Sequence, residues 1–253
     1  MQMETYVFFT PEELDLSKRF LPKPDAVVVL DILRATTTIT QALELGARCV
    51  EVFPNIDEVR RRVDSLTVKY DRSSILCLGE RNGKMIDGFD AGNSPVKLSN
   101  MDVRDKIILM TTTNGTRAIS TVSYVDRVFC GCLRNRKAIC EYLLKSAKEQ
   151  VVFLLCSGWK GGFSLEDTFG AGAILYELLD KKDDIKLLND QAVCSLEIYK
   201  NYIDRSTYLL ENSCHGKRLL RIGCKEDIEF CASLDSSFCI AVKKGSHRFE
   251  ALR

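Results

Sequence analysis

The chain has 253 residues, of which 45% are apolar and 28% are charged, and its net charge is +1. The apolar content is sufficient for a full hydrophobic core, and the balanced charge argues against the broad basic surface of nucleic-acid-binding proteins. The stretch MQMETYVFFTPEEL lacks the basic and apolar segments of a signal peptide, and no apolar run is long enough to cross a bilayer. We therefore expect a soluble cytoplasmic protein whose partners include neither nucleic acid nor membrane.

Eleven cysteines occur in the chain, together with only two histidines. The cysteines are scattered through predicted strands and helices and form no CxxC pair, which disfavours both a disulfide framework and a structural zinc site. We expect free thiols, most of them small core residues, in a reducing compartment.

Short apolar runs alternate with amphipathic segments along most of the chain. The predicted strands are Tyr6–Phe9, Ala26–Leu30, Cys49–Phe53, Ser74–Leu78, Lys106–Met110, Arg127–Cys130, Val151–Leu155 and Phe238–Val242. The predicted helices are Thr37–Leu45, Ile56–Asp64, Thr116–Val122, Arg136–Lys148, Leu165–Leu179, Asp190–Ile203 and Thr207–Leu220. This alternation predicts an α/β fold in which helices cover both faces of a mostly parallel sheet. The length suits one domain over residues 1–253, or two closely packed lobes with the active site between them.

Two predicted strands run into polar residues where a helix begins, and open α/β sheets bind ligands at such strand ends. VVVLDILRATTTI, residues 27–39, carries Asp31 and Arg34, a carboxylate that can hold Mg²⁺ and a guanidinium that can bind an oxyanion. An Asp–Arg ion pair beside a threonine cap explains the same residues equally well. In IILMTTTNGTRAI, residues 107–119, the run of hydroxyl groups exceeds what a helix cap needs, which favours anion binding.

The polar segment LGERNGKMIDGFDAGNSP, residues 78–95, follows another predicted strand. It holds Glu80, Arg81, Asp87 and Asp90 among four glycines. A loop of this length without periodicity is usually functional, and the alternative is an ordinary solvated loop.

The segment CSGWKGGFSLEDTFGAGAI, residues 156–174, again joins a strand to a helix. Ser164 and Asp167 have the spacing of a capping box, whereas Glu166 is not needed by the cap and is the better candidate for metal or base chemistry. Farther on, His215 is a candidate general acid or phosphate donor, with a hydrogen-bonded structural histidine as the alternative. Acids beside arginines at strand ends suit a divalent cation and an anionic substrate, as phosphoryl transfer requires.

Six segments in order carry a resemblance to one family: VVVLDILRATTTI, GERNGKMIDGFDAGNSP, TTTNGTRA, FSLEDTFGAGA, HGKRL and DIEFCASLD. From about residue 26 to residue 235 the chain resembles the 2-phosphosulfolactate phosphatase (ComB) family. The resemblance implies a three-layer α/β/α fold and a Mg²⁺-dependent acid phosphatase. It also implies hydrolysis of 2-phospho-3-sulfolactate to 3-sulfolactate, a step in coenzyme M biosynthesis.

The resemblance implies that the candidate residues lie in or near the active site, and we assign roles to them as a mechanistic hypothesis. The catalytic candidates are Asp31, Glu166 and His215. The metal-binding candidates are Asp31, Glu80, Asp90, Glu166 and Asp167. The substrate-binding candidates are Arg34, Arg81, Asn93, Thr111, Thr112, Thr113, Asn114, Thr116 and Arg117. Arg34 or Arg81 is expected to neutralise the sulfonate or carboxylate, and the nucleophile is either a metal-activated water or Asp31.

Three other functions remain open at this point. A cysteine phosphatase can use Cys130 and Arg136, which have the Cys-x5-Arg spacing. An aspartate-nucleophile phosphatase of the haloacid-dehalogenase type can use Asp31, although Leu33 stands where a second aspartate is expected. A non-catalytic small-anion-binding protein needs the loops without the acids. The apolar content is compatible with a homo-oligomer.

Overall fold

The computed structural model describes residues 2–81, 84–112, 115–145 and 151–252. Its strands are β1 (Met3–Phe8), β2 (Ala26–Leu30), β3 (Cys49–Phe53), β4 (Ile75–Arg81), β5 (Lys84–Met85), β6 (Ile107–Thr111), β7 (Val128–Gly131), β8 (Val151–Cys156), β9 (Ile185–Leu187), β10 (Ala241–Lys244) and β11 (Arg248–Ala251).

The helices alternate with these strands as far as β9 and then follow one another. They are α1 (Pro11–Ser17), α2 (Ala35–Glu44), α3 (Ile56–Thr67), α4 (Pro95–Leu98), α5 (Gly115–Thr121), α6 (Arg136–Lys145), α7 (Leu165–Lys181), α8 (Asp190–Tyr202), α9 (Ser206–Asn212), α10 (Cys214–Arg221) and α11 (Lys225–Ala232).

All strands of the described residues belong to one mixed, mostly parallel sheet in the order β5-β4-β6-β3-β11-β10-β7-β2-β8-β1-β9. The strands β7, β2, β8, β1 and β9 pair in parallel, and so do β4, β6 and β3. Between these groups lies the hairpin β10–β11, which pairs antiparallel with β7 on one side and with β3 on the other. Three successive antiparallel pairings mean that the two parallel groups run in opposite directions.

Helices cover both faces of the sheet, which confirms the predicted three-layer α/β fold. In β2, Val28 and Leu30 face the core that α6, α7 and α8 contribute to, whereas Val27 and Val29 face the core of α2 and α5. Side chains of a strand alternate between faces, so an all-apolar strand is expected wherever both faces are covered. A third, smaller core lies under α3 at the β4 end of the sheet.

The structure differs from the predicted elements mainly near the carboxyl terminus. The predicted helix Thr207–Leu220 is two helices, because Ser213 has extended backbone and its hydroxyl accepts a hydrogen bond from the Gly216 amide at 2.9 Å. The predicted strand Phe238–Val242 begins only at Ala241, and Phe238 is 89% exposed. The last residues of the predicted helix Arg136–Lys148 lie outside the described residues.

All eleven cysteines lie in described parts of the chain and are free, and seven of them are buried. The expectation that most of the thiols are core residues is therefore confirmed. No helix among the described ranges has the length and apolar character needed to span a membrane.

Candidate active site

A pocket of about 160 Å³ lies where the carboxyl ends of strands from both parallel groups meet. Its lining comes from the ends of β2, β4, β6 and β8, the segment before α4, and α10: Asp31, Leu33, Arg34, Glu80, Asn93, Thr112, Trp159, Lys160, His215 and Arg218. The two groups run in opposite directions, yet their ends converge here. A methyl group on Gly115, at the start of α5, would lie 2.9 Å from Oδ2 of Asp31, at the end of β2.

Asp31 is the buried acid of this pocket. Its Oδ1 accepts a hydrogen bond from the Ala35 amide at 3.1 Å, and the Gly115 amide also donates to the carboxylate. Burial nevertheless raises the pKa of Asp31 to about 6. The loss of hydration of the charged form outweighs the stabilisation that this form gains from the two hydrogen bonds and from Arg34. Asp31 therefore exchanges its proton near neutral pH.

Two further buried carboxyl groups lie behind Asp31 on the first turn of α7. Burial raises the pKa of Glu166, and the charge of Asp31 adds to the effect. Burial and the charges of Glu166 and Asp31 raise the pKa of Asp167 well above its usual range. Asp167 accepts hydrogen bonds from the amides of Ile32 and Gly158, at 2.9 and 3.2 Å, so it fastens the end of β2 to the turn after β8. Three acids so close together attract protons or a cation.

His215 lines the pocket and lies next to Glu166, which is not itself among the described lining residues. Its Nδ1 lies 3.7 Å from Oε1 of Glu166, and its ring stacks on Trp159 with centroids 4.0 Å apart. Burial and the positive charges of Arg34 and Arg218 lower the pKa of His215 to about 3. The contact with Glu166 is therefore not an ion pair at neutral pH, and the imidazole is a neutral hydrogen-bonding group.

Arg34 brings a buried guanidinium to the pocket. It forms an ion pair with Asp227 of α11, and both side chains are more than nine-tenths buried. Ser94 donates a hydrogen bond to the other oxygen of Asp227 at 2.6 Å. These partners fix Arg34 on the pocket wall, because a buried charge without a counter-charge is strongly unfavourable.

Glu80 and Arg81, at the end of β4, have different positions. Glu80 lines the pocket, where it faces Arg218 at 3.8 Å. Arg81 donates to the Thr111 hydroxyl at 3.1 Å and to the Glu80 carbonyl at 2.9 Å, and it does not belong to the pocket lining of the described residues.

In the hydroxyl-rich segment after β6, some side chains form hydrogen bonds with the backbone of the same segment. The Thr116 amide donates to the Thr112 hydroxyl at 3.2 Å, and the Gly115 amide donates to Asp31. Thr112 lines the pocket, whereas Thr113 and Asn114 lie outside the described residues.

Asn93, Asp90 and Arg117 complete the predicted set. Asn93 is buried in the pocket wall, and its Oδ1 has no hydrogen-bond partner within the part of the chain that the structure describes. The structure does not bring the other two to the pocket. Asp90 pairs with Arg72 at 3.1 Å and accepts from the Cys77 amide at 2.7 Å, while the half-exposed Arg117 pairs with Glu12.

The Cys130–Arg136 hypothesis is contradicted by the structure. Cys130 is fully buried in β7, and burial raises its pKa well above the ordinary value, so no thiolate is available. Arg136 binds Asp235, the Tyr199 hydroxyl and Glu177 instead of an anion cradle.

The donor set of the pocket fits Mg²⁺ in one specific manner. Among the described residues, no three His, Cys, Asp or Glu side chains are arranged to hold a metal ion by themselves. Mg²⁺ is commonly held by one or two carboxylates, with water and phosphate oxygens completing its shell. Asp31 of the lining and the adjacent Glu166 supply such carboxylates, and Oδ1 of Asn93, which has no partner among the described residues, is a further oxygen donor.

Four residues of the site were not among the sequence-based candidates: Trp159, Lys160, Arg218 and Asp227. Trp159 and Lys160 lie in the turn after β8, and Arg218 lies in HGKRL. Both segments were identified as functional from the sequence, but these three residues were not selected. Asp227 lies 193 positions from Arg34. A pairing over that distance has no signal in a single sequence.

Comparison with known proteins gives one consistent result. The profile of the 2-phosphosulpholactate phosphatase family matches residues 8–245. A protein of Prochlorococcus marinus (strain MIT 9313), named a probable 2-phosphosulfolactate phosphatase, is 41% identical over 87% of this chain and 90% of its own length. Proteins of the same name are 34% identical in Microcystis aeruginosa, over 96% of this chain and 97% of the relative, and 35% identical in Parasynechococcus marenigrum, over 99% and 100%.

Proposed function

This chain belongs to the 2-phosphosulpholactate phosphatase family, a family of phosphoric monoester hydrolases, and from that premise we propose its reaction. The chain hydrolyses 2-phospho-3-sulfolactate, or a similar small phosphorylated 2-hydroxy acid, to 3-sulfolactate and inorganic phosphate. The reaction depends on Mg²⁺ and takes place in the cytoplasm, where it belongs to coenzyme M biosynthesis.

The observation that carries this proposal is the pairing of the buried Asp31 carboxyl group with a fixed guanidinium in one pocket. Arg34 lines the same pocket as Asp31 and is held there by Asp227. A phosphate group beside Arg34 is bound through charge-assisted hydrogen bonds, with its phosphorus next to Asp31. The hydroxyl of Thr112 and the side-chain amide of Asn93 are further groups that can donate to its oxygens.

Asp31 and Glu166 are the side chains that would hold Mg²⁺. A bound Mg²⁺ supplies neutralisation of the phosphate charge, which phosphoryl transfer requires. We assign no role in the reaction to Asp90 and Arg117, because the residues they pair with lie outside the pocket. The nucleophile is a water molecule held at Asp31 or the Asp31 carboxylate itself.

His215 assists departure of the alcohol. The imidazole is neutral in the free site because burial, Arg34 and Arg218 lower its pKa to about 3. A phosphate dianion in the pocket offsets those positive charges and raises the proton affinity of the ring. The ring then takes up a proton from the solvent and donates it to the ester oxygen on carbon 2 as the bond between that oxygen and phosphorus breaks.

Phosphate release from a panel of esters tests the reaction. With Mg²⁺ present, the protein should hydrolyse 2-phospho-3-sulfolactate with a higher kcat/KM than p-nitrophenyl phosphate, because only the former offers further anionic groups to the basic pocket. Asp87→Asn is the matched control for handling and folding, since Asp87 is exposed and lies outside this pocket. A protein that binds 2-phospho-3-sulfolactate without releasing phosphate would be an anion-binding protein and would refute the proposal.

A further inference from the structure

One wall of the pocket carries two cations beside an aromatic ring. It consists of Trp159 and Lys160 in the turn after β8, and of Arg218 in α10. The Trp159 ring stacks on His215, and the Arg218 guanidinium lies 5.6 Å and the Lys160 ammonium 5.8 Å from its centroid. Rings and cations in this arrangement attract each other, so the indole holds both cations at the pocket.

The two arginines of the pocket are held in different ways. Arg34 is committed to a buried ion pair with Asp227. Arg218 is 23% exposed, and its separation of 3.8 Å from Glu80 is longer than a hydrogen bond. Its guanidinium can therefore bind an anionic ligand, and little water has to be removed from the guanidinium when it does so.

We propose that Arg218 and Lys160, supported by Trp159, form the subsite for the sulfonate of the substrate. This inference rests on the proposed function and assigns a role that the sequence analysis gave to Arg34 or Arg81. When the phosphate lies beside Asp31 and Arg34, Arg218 and Lys160 are further cations of the same lining that can bind the rest of a three-carbon acid. A sulfonate has three oxygens and stays ionised at every physiological pH, so it accepts from a guanidinium and an ammonium at once.

Two shorter esters separate the anionic groups of the substrate. The phosphate ester of lactate keeps the carboxylate and lacks the sulfonate, whereas the phosphate ester of isethionate keeps the sulfonate and lacks the carboxylate. We expect Arg218→Gln to lower kcat/KM by about 30-fold for 2-phospho-3-sulfolactate and for the isethionate ester. Turnover of the lactate ester should change less than about threefold. Lys160→Gln should show the same pattern more weakly, and because Lys160 is exposed this variant carries little risk of misfolding.

The neighbouring exposed Lys217 provides the matched control. Lys217→Gln removes the same charge from α10 and should leave all three esters unaffected. An equal loss for all three esters in Arg218→Gln, or a loss that follows the carboxylate, would overturn the subsite. Absence of turnover of every ester by the wild-type protein would instead refute the proposed function.

Binding can be measured without turnover, because Trp159 is the only tryptophan of the chain. Addition of 3-sulfolactate should change the intrinsic fluorescence, and addition of lactate at the same concentration should not. The change should need at least tenfold more 3-sulfolactate in Arg218→Gln than in Lys217→Gln. Identical titrations in these two variants would contradict the subsite whatever the enzyme hydrolyses.

Discussion

At the scale of single residues, burial of charge distinguishes the pocket from the rest of the protein. Asp31, Glu166 and Asp167 are all more than nine-tenths buried, and the pKa of each is raised. Such acids destabilise the fold at neutral pH, where their burial opposes ionisation. Retaining them is typical of a site that needs negative charge for binding or catalysis.

Burial of the charged Asp31 carboxylate is unfavourable. We therefore predict that, without metal, Asp31→Asn is more stable than the wild type. The folded-state pKa of Asp31, about 6, lies above the unfolded value near 4, so the folded protein binds more protons between these pH values. The contribution of Asp31 to the free energy of unfolding is fully present below about pH 4 and is lost as the pH rises through about 6. Asp31→Asn should therefore raise the free energy of unfolding at pH 7.5 by about 2 kcal/mol, which allows for the hydrogen bond from Gly115 that the amide group cannot accept.

Urea unfolding in the presence of a chelator measures this difference. The gain should shrink toward zero at pH 4, and Asp87→Asn should show no comparable dependence. If Asp31→Asn is instead less stable than the wild type at pH 7.5, burial does not raise the pKa of Asp31.

At the scale of elements, the close approach of α5 to α2 lies beside Asp31, which lines the pocket. Gly115 begins α5, and an added Cβ would lie 2.8 Å from the Cβ of Ala35 and 2.9 Å from Oδ2 of Asp31. Contacts below 3.0 Å force a shift of one of the two helices. The sequence predicted a helix after the TTTNGT segment but gave no indication that its first amide binds a carboxylate from β2.

Gly115→Ala should therefore reduce activity more than it reduces stability. The added methyl group displaces Asp31 or α5, so we expect kcat/KM for 2-phospho-3-sulfolactate to fall about 100-fold or more. Gly92→Ala is the control, because the space around Gly92 is open. Steady-state kinetics and a thermal melt of both variants distinguish the outcomes, and wild-type kinetics in Gly115→Ala would show that this approach does not position Asp31.

The elements themselves were largely predictable, because both faces of the parallel strands are covered and the strands are therefore apolar throughout. β2, β3 and the start of α7 have the boundaries expected from hydrophobic runs and a serine cap. The helix break at Ser213 and the delayed start of β10 were not predicted from the hydrophobic pattern. The Cβ of an alanine at position 216 would meet the Leu210 carbonyl at 1.7 Å, which reflects a close approach of α9 and α10.

At the scale of the whole molecule, two oppositely directed groups of parallel strands contribute to one pocket. The sequence predicted polar strand ends, and the resemblance identified Asp31, Arg34 and Glu166 as members of a site. The opposite directions result from the antiparallel hairpin β10–β11 between the groups, and β11 was not predicted at all. Pairings such as Arg34 with Asp227, and the basic wall around Trp159, depend on that arrangement.

We propose that Asp31 and Glu166 would hold a divalent cation on which hydrolysis of the phosphate ester depends. The most direct test is phosphate release from 2-phospho-3-sulfolactate by chelator-treated protein before and after addition of Mg²⁺. Wild-type protein should be inactive after chelation and recover with Mg²⁺, whereas Asp31→Asn should fail to recover and Glu166→Gln should need a higher Mg²⁺ concentration. Turnover by the chelated wild type, or near-wild-type turnover by Asp31→Asn, would contradict the claim.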